Sequence, residues 1–429
     1  MPGTSKDIIG DLERRGLISQ LAGGDELKSH LASGSRTVYC GFDPTAESLH
    51  IGNMVPLLAL RRFQQAGHRP IALVGGATGM IGDPSFKDSE RRLNTTEIVS
   101  EWVERLKPQL SQFLDFDSGS NAALLVNNLD WTRDYAVLDF LRDIGKHFSI
   151  NAMVQKESVK QRIEREGEGI SYTEFSYMIL QSYDFSELYK RFGCTVQIGG
   201  SDQWGNITGG IDLTRRLCQQ QVYGATFPLI TKSDGSKFGK SETGTVWLTA
   251  DKTSPFEMYQ FFIRTPDSHV IQYLKFFTFL ERADIEEMET ALERAPEKRA
   301  AQNRLAEEVC KIVHGEEELA KAILATQALF SAEIKQLDRT TLLQVLKDAP
   351  STEVKKTDAA LSLVDLLVAS KLCNSKGAAR KDIKGGGIYL NNERVEDVDR
   401  AISDDDTIAG NYLVLRRGKK NYHLLSFSD

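Results

Sequence analysis

Three basic residues have the types and the spacing that phosphate chemistry needs. His50 stands at the start of a predicted helix, two residues before Gly52. A helix start offers N–H groups and a positive dipole end to phosphate, and glycine lets a ligand approach the backbone. Lys237 and Lys240 flank Gly239, so both ammonium groups can turn toward one pyrophosphate. These residues predict a nucleotide site; the alternatives are a structural histidine and solvated surface lysines.

The elements that would position these residues are typical of a doubly wound α/β domain. Strands are predicted over residues 36–40, 70–76, 122–126 and 194–199, and helices over 52–66, 96–113, 136–148 and 151–191. The run 70–76 (PIALVGG) is almost entirely apolar, as in a parallel strand buried on both faces. Ligands of such sheets bind beyond the carboxyl ends of the strands. We therefore expect the loops after residues 40 and 76 to line one site.

The chain divides into four predicted parts. A Rossmann-like domain with inserted helices spans 1–248, and a helical region rich in Glu, Lys and Arg spans 249–347. Residues 348–358 (DAPSTEVKKTD) have the composition of a linker. Residues 359–429 are predicted to form a small α+β domain with two short helices and a hairpin that turns at Asn391-Asn392.

Composition excludes several classes of protein. A chain of 429 residues with 41% hydrophobic and 26% charged residues is long enough for several domains with a sizeable core. No apolar run approaches the roughly 20 residues of a membrane helix, and residues 1–10 lack the core of a signal peptide. Five cysteines without a CxxC pair predict reduced thiols in a cytosolic protein and argue against structural zinc.

Charge is distributed unevenly along the chain. The net charge is −7, yet residues 359–429 hold 11 Lys/Arg and 10 Asp/Glu, and the first 358 residues carry −8. A local basic patch, rather than the charge of the whole chain, sets affinity for phosphate. The candidate RNA-binding residues are Arg380, Lys381, Lys384, Arg416 and Arg417. The alternative is a solvated surface.

Several motifs together resemble one enzyme family. The sequence HIGN at 50–53 resembles the HIGH signature of class I aminoacyl-tRNA synthetases, and KFGKS at 237–241 resembles their KMSKS loop. The stretches 39–45 (YCGFDPT), 75–84 (GGATGMIGDP) and 197–206 (QIGGSDQWGN) are similar to bacterial tyrosyl-tRNA synthetases. The resemblance runs from about residue 5 to 429. Asn53 replaces the second histidine of HIGH, which removes a charge but keeps a hydrogen-bond donor.

The resemblance implies a tyrosine–tRNA ligase of protein biosynthesis. Tyrosine is joined to the α-phosphate of ATP with release of pyrophosphate and then moves to the 3′ end of tRNA. Such a displacement needs placed donors and cations rather than a protein nucleophile. Mg²⁺ would arrive with ATP, and no protein-bound metal is expected. The implied protein is cytoplasmic, has no membrane partner and is a homodimer; its apolar interface is expected around residues 130–160 (Trp131, Phe140, Phe148, Met153), although Trp131 and Phe140 are equally compatible with the core.

The family's site residues map onto matching positions of this sequence. The residues implied to bind tyrosine are Tyr39, Asp83, Tyr177, Gln181, Asp184 and Gln197. Those implied to bind ATP are Gly41, Asp43, His50, Gly52, Asn53, Gly200, Asp202, Gln203 and Lys240. The implied catalytic residues are Thr45, His50, Lys87, Arg91, Lys237 and Lys240. The tail resembles the RNA-binding domain of a small-subunit ribosomal protein and is expected to contact tRNA together with the helical region.

One predicted helix carries the residues for substrate choice. Tyr177, Gln181 and Asp184 follow an i, i+4, i+7 pattern and share a face. That pattern alone also fits an amphipathic helix with a wet side. Under the resemblance, Asp184 and Tyr39 would bind the phenol of tyrosine. They would exclude phenylalanine because buried polar groups would be left unpaired, a rule for which this family is itself the usual illustration.

Two competing functions also fit parts of the sequence. A tryptophan-type synthetase or a pantothenate-synthetase-like ligase would share the fold, but Asp184 and Tyr39 argue against both. An inactive RNA-binding relative with a structural role would belong to another class. Intact His50, Lys237 and Lys240 argue against that class.

Overall fold

The structure, a computed structural model, describes residues 7–85, 94–164, 169–230, 238–241, 244–328, 331–347, 349–355, 361–418 and 421–428. It forms two compact units. The first contains Met1–Thr253 and Pro266–Ala301, and the second contains Ser254–Thr265 and Gln302–Asp429. None of the described helices combines the length and the hydropathy that crossing a bilayer requires.

Strands and helices alternate up to residue 253. The strands are β1 (Gln20–Ala22), β2 (Thr37–Phe42), β3 (Arg69–Val74), β4 (Leu124–Asn127), β5 (Cys194–Gly200), β6 (Tyr223–Phe227), β7 (Lys240–Ser241) and β8 (Gly244–Thr245). The helices are α1 (Ile8–Arg14), α2 (Gly24–Ala32), α3 (Met54–Gln65), α4 (Thr78–Ile81), α5 (Thr96–Ser111), α6 (Leu129–Thr132), α7 (Val137–Asp143), α8 (Ile150–Val154), α9 (Glu157–Glu164), α10 (Tyr172–Phe192) and α11 (Trp204–Cys218).

A six-stranded sheet built from the described residues organises the first unit. Its order is β1-β6-β5-β2-β3-β4, and all neighbours are parallel except β1 and β6. From β2 the chain adds β3 and β4 on one side, and it later returns to place β5 and β6 on the other. The strand order therefore reverses between β2 and β5, where open α/β sheets bind ligands. The predicted doubly wound fold is confirmed.

Two strands of this sheet were not predicted from the sequence. β6 has the sequence YGATF, in which glycine and alanine weaken the strand pattern. β1 spans only three residues, too few for a period of two to be recognised. β1 and β6 pair across about 200 residues of chain, as in Leu21 with Ala225, and β6 also pairs with β5. Local periodicity does not reveal such pairing.

Helices continue through the next hundred residues and lead into a small sheet. The helices are α12 (Pro255–Ile263), α13 (Asp267–Phe277), α14 (Arg282–Arg294), α15 (Ala300–His314), α16 (Glu316–Ala328), α17 (Arg339–Val345), α18 (Leu363–Ala369) and α19 (Lys376–Lys384). The strands are β9 (Ser351–Lys355), β10 (Leu361–Ser362), β11 (Ile388–Leu390), β12 (Glu393–Arg394), β13 (Ala401–Ile402), β14 (Tyr412–Arg417) and β15 (Asn421–Ser428).

The sheet of the second unit is covered on both faces. Its described strands follow the order β12-β11-β14-β15-β9. One face packs Leu413, Leu415 and Leu425 against residues of α18 and α19. The other packs Val414 and Leu424 against Leu342, Leu346 and neighbouring residues of the helical segment. The Asn391-Asn392 turn is confirmed: both residues have positive φ, 48° and 65°, as a two-residue hairpin turn requires.

The predicted linker over 348–358 requires a correction. Within it, β9 pairs in parallel with β15, with Ser351 opposite Leu424 and Lys355 opposite Ser428. Residue 348 and residues 356–360 lie outside the described part of the chain. The polar composition suggested a free tether because β9 is an edge strand with alternately exposed side chains. Its partner strand lies about seventy residues later in the sequence.

Candidate functional site

A buried carboxylate lies at the base of the candidate site, at the carboxyl ends of the central strands. Asp184 on α10 is 3% exposed. Its Oδ2 accepts a hydrogen bond from Asn128 Nδ2 at 2.9 Å, and its Oδ1 accepts one from Trp131 Nε1 at 2.8 Å. Burial raises the pKa of Asp184 to about 7, although these two bonds act in the opposite direction. These two donors fix the orientation of the carboxylate, and its remaining lone pairs can still accept hydrogen bonds.

Two buried polar atoms on the neighbouring strands β2 and β5 have no hydrogen-bond partner among the described residues. They are the hydroxyl of Tyr39 and Oε1 of Gln197, and these two residues are paired in the β2–β5 register. Both side chains are buried. Burial, followed by the charge of Asp184, raises the pKa of Tyr39, so the phenol stays protonated and can donate. Buried polar groups without partners are costly, so these two atoms point to a polar ligand.

A second carboxylate lies just beyond the end of β2. Asp43 accepts hydrogen bonds from Thr78 Oγ1 at 2.6 Å and from the Tyr177 hydroxyl at 2.7 Å. Asn128 Nδ2 also donates to Thr78 Oγ1 at 3.0 Å. A chain of hydrogen bonds therefore joins Asp184 to Asp43 across the site. Tyr177, one of the residues implied to bind tyrosine, therefore also belongs to this chain through its bond to Asp43.

A third polar cluster connects the loop after α4 with the start of α11. Gln203 Nε2 donates to Asp83 Oδ2 at 2.7 Å and to Asp202 Oδ2 at 2.9 Å. Asn206 Nδ2 donates to Gln203 Oε1 and to Gln181 Oε1, both at 3.1 Å. Four of the predicted site residues thus share one hydrogen-bonded network.

The turn at His50 is fixed by its own side chains. His50 Nδ1 accepts from the Gly52 N–H at 3.0 Å, and Asn53 Oδ1 accepts from the His50 N–H at 3.0 Å. A neutral ring that accepts at Nδ1 has its proton on Nε2, where it can donate to phosphate. Asn53 therefore caps the turn, which explains asparagine at this position. A Cβ on Gly52 would lie 2.9 Å from His50 Nδ1, so glycine also makes room for the histidine ring.

The described part of the KFGKS motif, residues 238–241, lies beside this turn. Val246 N donates to Gly239 O at 2.8 Å, and Ile51 N donates to Val246 O at 3.0 Å. Gly239 has φ +90°, and a Cβ there would lie 2.4 Å from Ile51 Cγ2. The ring of Phe238 packs against Tyr273 and Phe277 of α13 with centroid distances of 4.9 and 5.4 Å. The segment 238–241 and the His50 turn therefore share one end of the sheet.

Some predicted residues remain without described side-chain geometry. Lys87, Arg91 and Lys237 lie outside the described residues, and the structure describes the backbone of Lys240 in β7 but not its side chain. Thr45 is exposed on the loop between β2 and α3, Gly41 is exposed near the end of β2, and Gly200 ends β5.

The predicted RNA-binding residues fall into two groups. Arg380, Lys381 and Lys384 are exposed on α19. Arg416 instead lies 3.8 Å from the ring centre of Tyr389, and Arg417 forms an ion pair of 2.8 Å with Asp382. The first group presents exposed cations. Both arginines of the second group also have intramolecular contacts.

The segment predicted to form the apolar interface contains both core residues and exposed apolar residues. Trp131 and Met153 are buried in the core of the first unit, and Phe140 and Phe148 pack against that core. Large apolar side chains of the same segment are exposed instead, with Val137 at 69% and Leu138 at 76%. Trp131 therefore serves the core and the site, through its bond to Asp184.

Sequence reasoning missed Thr78, Asn128 and Asn206 as site residues. Asn128 directly follows β4, so a polar residue at the carboxyl end of a predicted parallel strand was the available signal. Asn206 ends the stretch 197–206, whose similarity to the family was the signal there. Among the described residues, no group of three or more His, Cys, Asp or Glu side chains is placed to hold a metal ion.

Comparison with known proteins gives the family. A family model described as class I tRNA synthetases (W and Y) matches residues 32–331, and one described as the C-terminal domain of SYY-like tyrosine–tRNA ligases matches 341–425. A tyrosine–tRNA ligase of Aliivibrio fischeri is 54% identical over 424 residues, 98% of each chain. Tyrosine–tRNA ligase 1 of Bacillus subtilis is 54% identical over 423 residues, 98% of this chain and 99% of that one.

A solved structure agrees with this result. The crystal structure of a C-terminally truncated mitochondrial tyrosyl-tRNA synthetase from Aspergillus nidulans is 33% identical, with a TM-score of 0.69. It covers 76% of this chain, and this chain covers 95% of it. The chain belongs to the class I tRNA synthetases of the tryptophan and tyrosine type.

Proposed function

We propose that this chain activates tyrosine with ATP and transfers it to tRNA, the reaction of a tyrosine–tRNA ligase. One observation carries the proposal: the buried carboxylate of Asp184 lies close enough to the Tyr39 hydroxyl for its charge, second to burial, to raise the pKa of that hydroxyl, which has no partner among the described residues. A phenol that donates to Asp184 and accepts from Tyr39 would satisfy both. The names of the curated relatives support the same substrate.

The amino acid lies along α10 with its phenol toward Asp184. Its ammonium group is held by Asp83, Tyr177 and Gln181, and the Tyr177 hydroxyl also donates to the nearby Asp43. Gln197 contributes an acceptor, its Oε1, which lacks a partner among the described residues. This arrangement presents the carboxylate of tyrosine toward the carboxyl ends of β2 and β5.

ATP binds where β2, β5 and the His50 turn end. Its adenosine packs on Gly41 and Gly200, with Asp202 as ribose acceptor and Asp43 and Gln203 beside it. Its phosphates meet Gly52, Asn53 and the Nε2–H of His50. Mg²⁺ arrives with ATP.

Catalysis consists of placing the reactants and stabilising charge on the α-phosphoryl group as pyrophosphate leaves. Thr45, His50, Lys87, Arg91, Lys237 and Lys240 supply the donors and cations. The close approach of Gly239 to Ile51 supports a joint action of the two motifs, and Val246 links the backbones of both residues by hydrogen bonds.

The rest of the chain serves tRNA and assembly. We propose that residues 1–248 activate tyrosine, and that the helical region 249–347 and the tail 359–429 contact tRNA. Exposed Arg380, Lys381 and Lys384 are the leading candidates. The exposed apolar side chains of α7 support a homodimer through that helix. Five free cysteines fit the reducing cytoplasm that we propose as its location.

Exchange of labelled pyrophosphate into ATP tests the activation step directly. With the purified chain and each amino acid in turn, we expect exchange to depend on tyrosine. Exchange with tryptophan instead would transfer the proposal to the other substrate of the family. Exchange with no amino acid would refute an activating function.

A further inference from the structure

Asn206 is a buried amide that joins two sides of the site without being assigned to either substrate. It lies in the first turn of α11 and is 6% exposed. Its Nδ2 donates 3.1 Å hydrogen bonds to Oε1 of Gln181 and to Oε1 of Gln203. Gln203 in turn donates from Nε2 to Asp83 at 2.7 Å and to Asp202 at 2.9 Å.

The direction of these bonds follows from the chemistry of amides. A primary amide has one end that donates and one that accepts. Because Asn206 presents its amino group, Gln203 must turn its carbonyl oxygen toward Asn206 and its amino group toward the two carboxylates. In the reverse orientation, the carbonyl oxygen of Gln203 would face two carboxylates and repel both. Asn206 and the two carboxylates therefore favour the same orientation of Gln203, and Asn206 holds the end of the amide that the carboxylates do not contact.

We propose that Asn206 is a positioning residue that acts through Gln203 to couple the amino-acid side of the site to the nucleotide side. The inference rests on the proposed function, which assigns Asp83 to the ammonium group of tyrosine and Asp202 to the ribose of ATP. The side-chain amide of Gln203 then holds both carboxylates. Loss of the Asn206 donor should weaken the binding of both substrates, although Asn206 itself is assigned to neither.

Two substitutions separate a donor from a packing residue. Asn206→Asp keeps the shape of the side chain but replaces the donor by an acceptor, and Asn206→Ala removes both shape and donor. A packing role would survive in the aspartate variant. The donor role is lost in both, and we expect KM for tyrosine and for ATP in pyrophosphate exchange to rise roughly tenfold, as when a buried acceptor loses its partner.

A matched control makes the same chemical change elsewhere. Asn121 donates to Gln64 O at 2.8 Å, near the opposite end of β4 from the site. Asn121→Asp should leave both KM values unchanged. Thermal unfolding of each variant shows whether a kinetic change follows from loss of the fold.

Acid pH gives a second readout that packing would not produce. At acid pH the carboxyl group introduced by Asn206→Asp becomes protonated, and its O–H can then donate a hydrogen bond. The KM ratio of Asn206→Asp to the unmodified protein should therefore shrink as the pH falls from 8 to 5.5, whereas the ratio for Asn206→Ala should stay constant.

A double-mutant cycle tests the route through Gln203. In a Gln203→Ala background, Asn206→Ala should add less than twofold to KM for ATP, because the residue it positions is gone. Full additivity would overturn the proposal, and so would an aspartate variant with unchanged KM values. If either substitution prevents folding, the cycle with the other variant decides. Absence of tyrosine-dependent exchange in the unmodified protein would refute the proposed function itself, which is a separate result.

Discussion

At the scale of single residues, selection of the substrate is a problem of unpaired hydrogen-bonding groups. Asp184 is held by Asn128 and Trp131, whereas the Tyr39 hydroxyl is buried without a partner among the described residues. A buried hydroxyl without a hydrogen-bond partner lowers the stability of the free protein. A phenolic ligand that accepts from this hydroxyl removes the cost when it binds. Affinity for tyrosine and stability of the free protein should therefore respond in opposite ways to loss of this hydroxyl.

Tyr39→Phe tests that opposition. We expect the KM for tyrosine to rise about fivefold, the equivalent of one hydrogen bond of about 1 kcal/mol, with KM for ATP unchanged. The free energy of unfolding should stay constant or increase, because no hydrogen bond of the free protein is removed. Tyr189→Phe, near the end of α10, is the control. A destabilised Tyr39→Phe variant would contradict this interpretation.

The pKa of Asp184 gives the stability of the protein a pH dependence of known sign. Burial raises this pKa from 3.8 to about 7, so the folded state holds a proton that the unfolded state releases. On account of this group, the free energy of unfolding should fall as the pH rises from about 4 to about 7, by at most roughly 4 kcal/mol. The Asp184→Asn variant has no carboxyl group at this position and therefore lacks this pH dependence. In urea titrations, the stability of this variant relative to the unmodified protein should rise over that range and level off above pH 7; a constant difference would contradict the raised pKa.

At the scale of elements, the proposed site depends on two chain segments that approach closely where Gly239 lies against Ile51. Gly239 has φ +90° and no room for a Cβ beside Ile51. Gly239→Ala should therefore displace the segment 238–241 and slow pyrophosphate exchange at least tenfold, a displacement cost of about 1.4 kcal/mol or more. Tyrosine binding should be unaffected.

Gly244→Ala is the matched control for this prediction. Gly244 also has positive φ, +121°, but a Cβ there would meet nothing within 4 Å. Both variants carry the backbone strain of alanine in this region, and only Gly239→Ala adds the clash. Equal rates in the two variants would show that the contact with Ile51 does not set the rate.

Elements were predictable from the sequence where local pattern specifies them. The helix that bears Tyr177, Gln181 and Asp184 and the turn at Asn391-Asn392 follow from spacing and turn chemistry. β6 and β9 were not predictable from local pattern, because pairing with strands elsewhere in the sequence specifies them. The same division holds in the site. The i, i+4, i+7 face was visible in the sequence, whereas the bonds of Asn128 and Asn206 depend on how separate elements meet.

At the scale of the whole molecule, α7 bears the proposed subunit interface. It has no buried residue, and Leu138 is 76% exposed. Leu138→Glu should yield monomers in sedimentation velocity runs, because a charge in a desolvated apolar interface costs several kcal/mol. Leu324→Glu, at another exposed leucine (57%), should leave the oligomeric state unchanged. A protein that is monomeric before substitution would refute the interface.

The basic residues of α19 should act on tRNA alone. Reversal of Arg380, Lys381 and Lys384 to glutamate should raise KM for tRNA and reduce the salt dependence of charging, by about one unit of slope for each phosphate that is no longer neutralised. Pyrophosphate exchange without tRNA should be unchanged. If the salt slope of charging stayed the same, these residues would not lie on the RNA.

The most direct test of how the site selects tyrosine is a crystal structure with a non-hydrolysable analogue of tyrosyl adenylate. We expect its phenolic oxygen within about 3 Å of both an Asp184 carboxylate oxygen and the Tyr39 hydroxyl, the length of an ordinary hydrogen bond. Its adenosine should lie beyond the ends of β2 and β5, beside the His50 turn. A phenol bound away from Asp184, with the Tyr39 hydroxyl still unpaired, would contradict the proposed site.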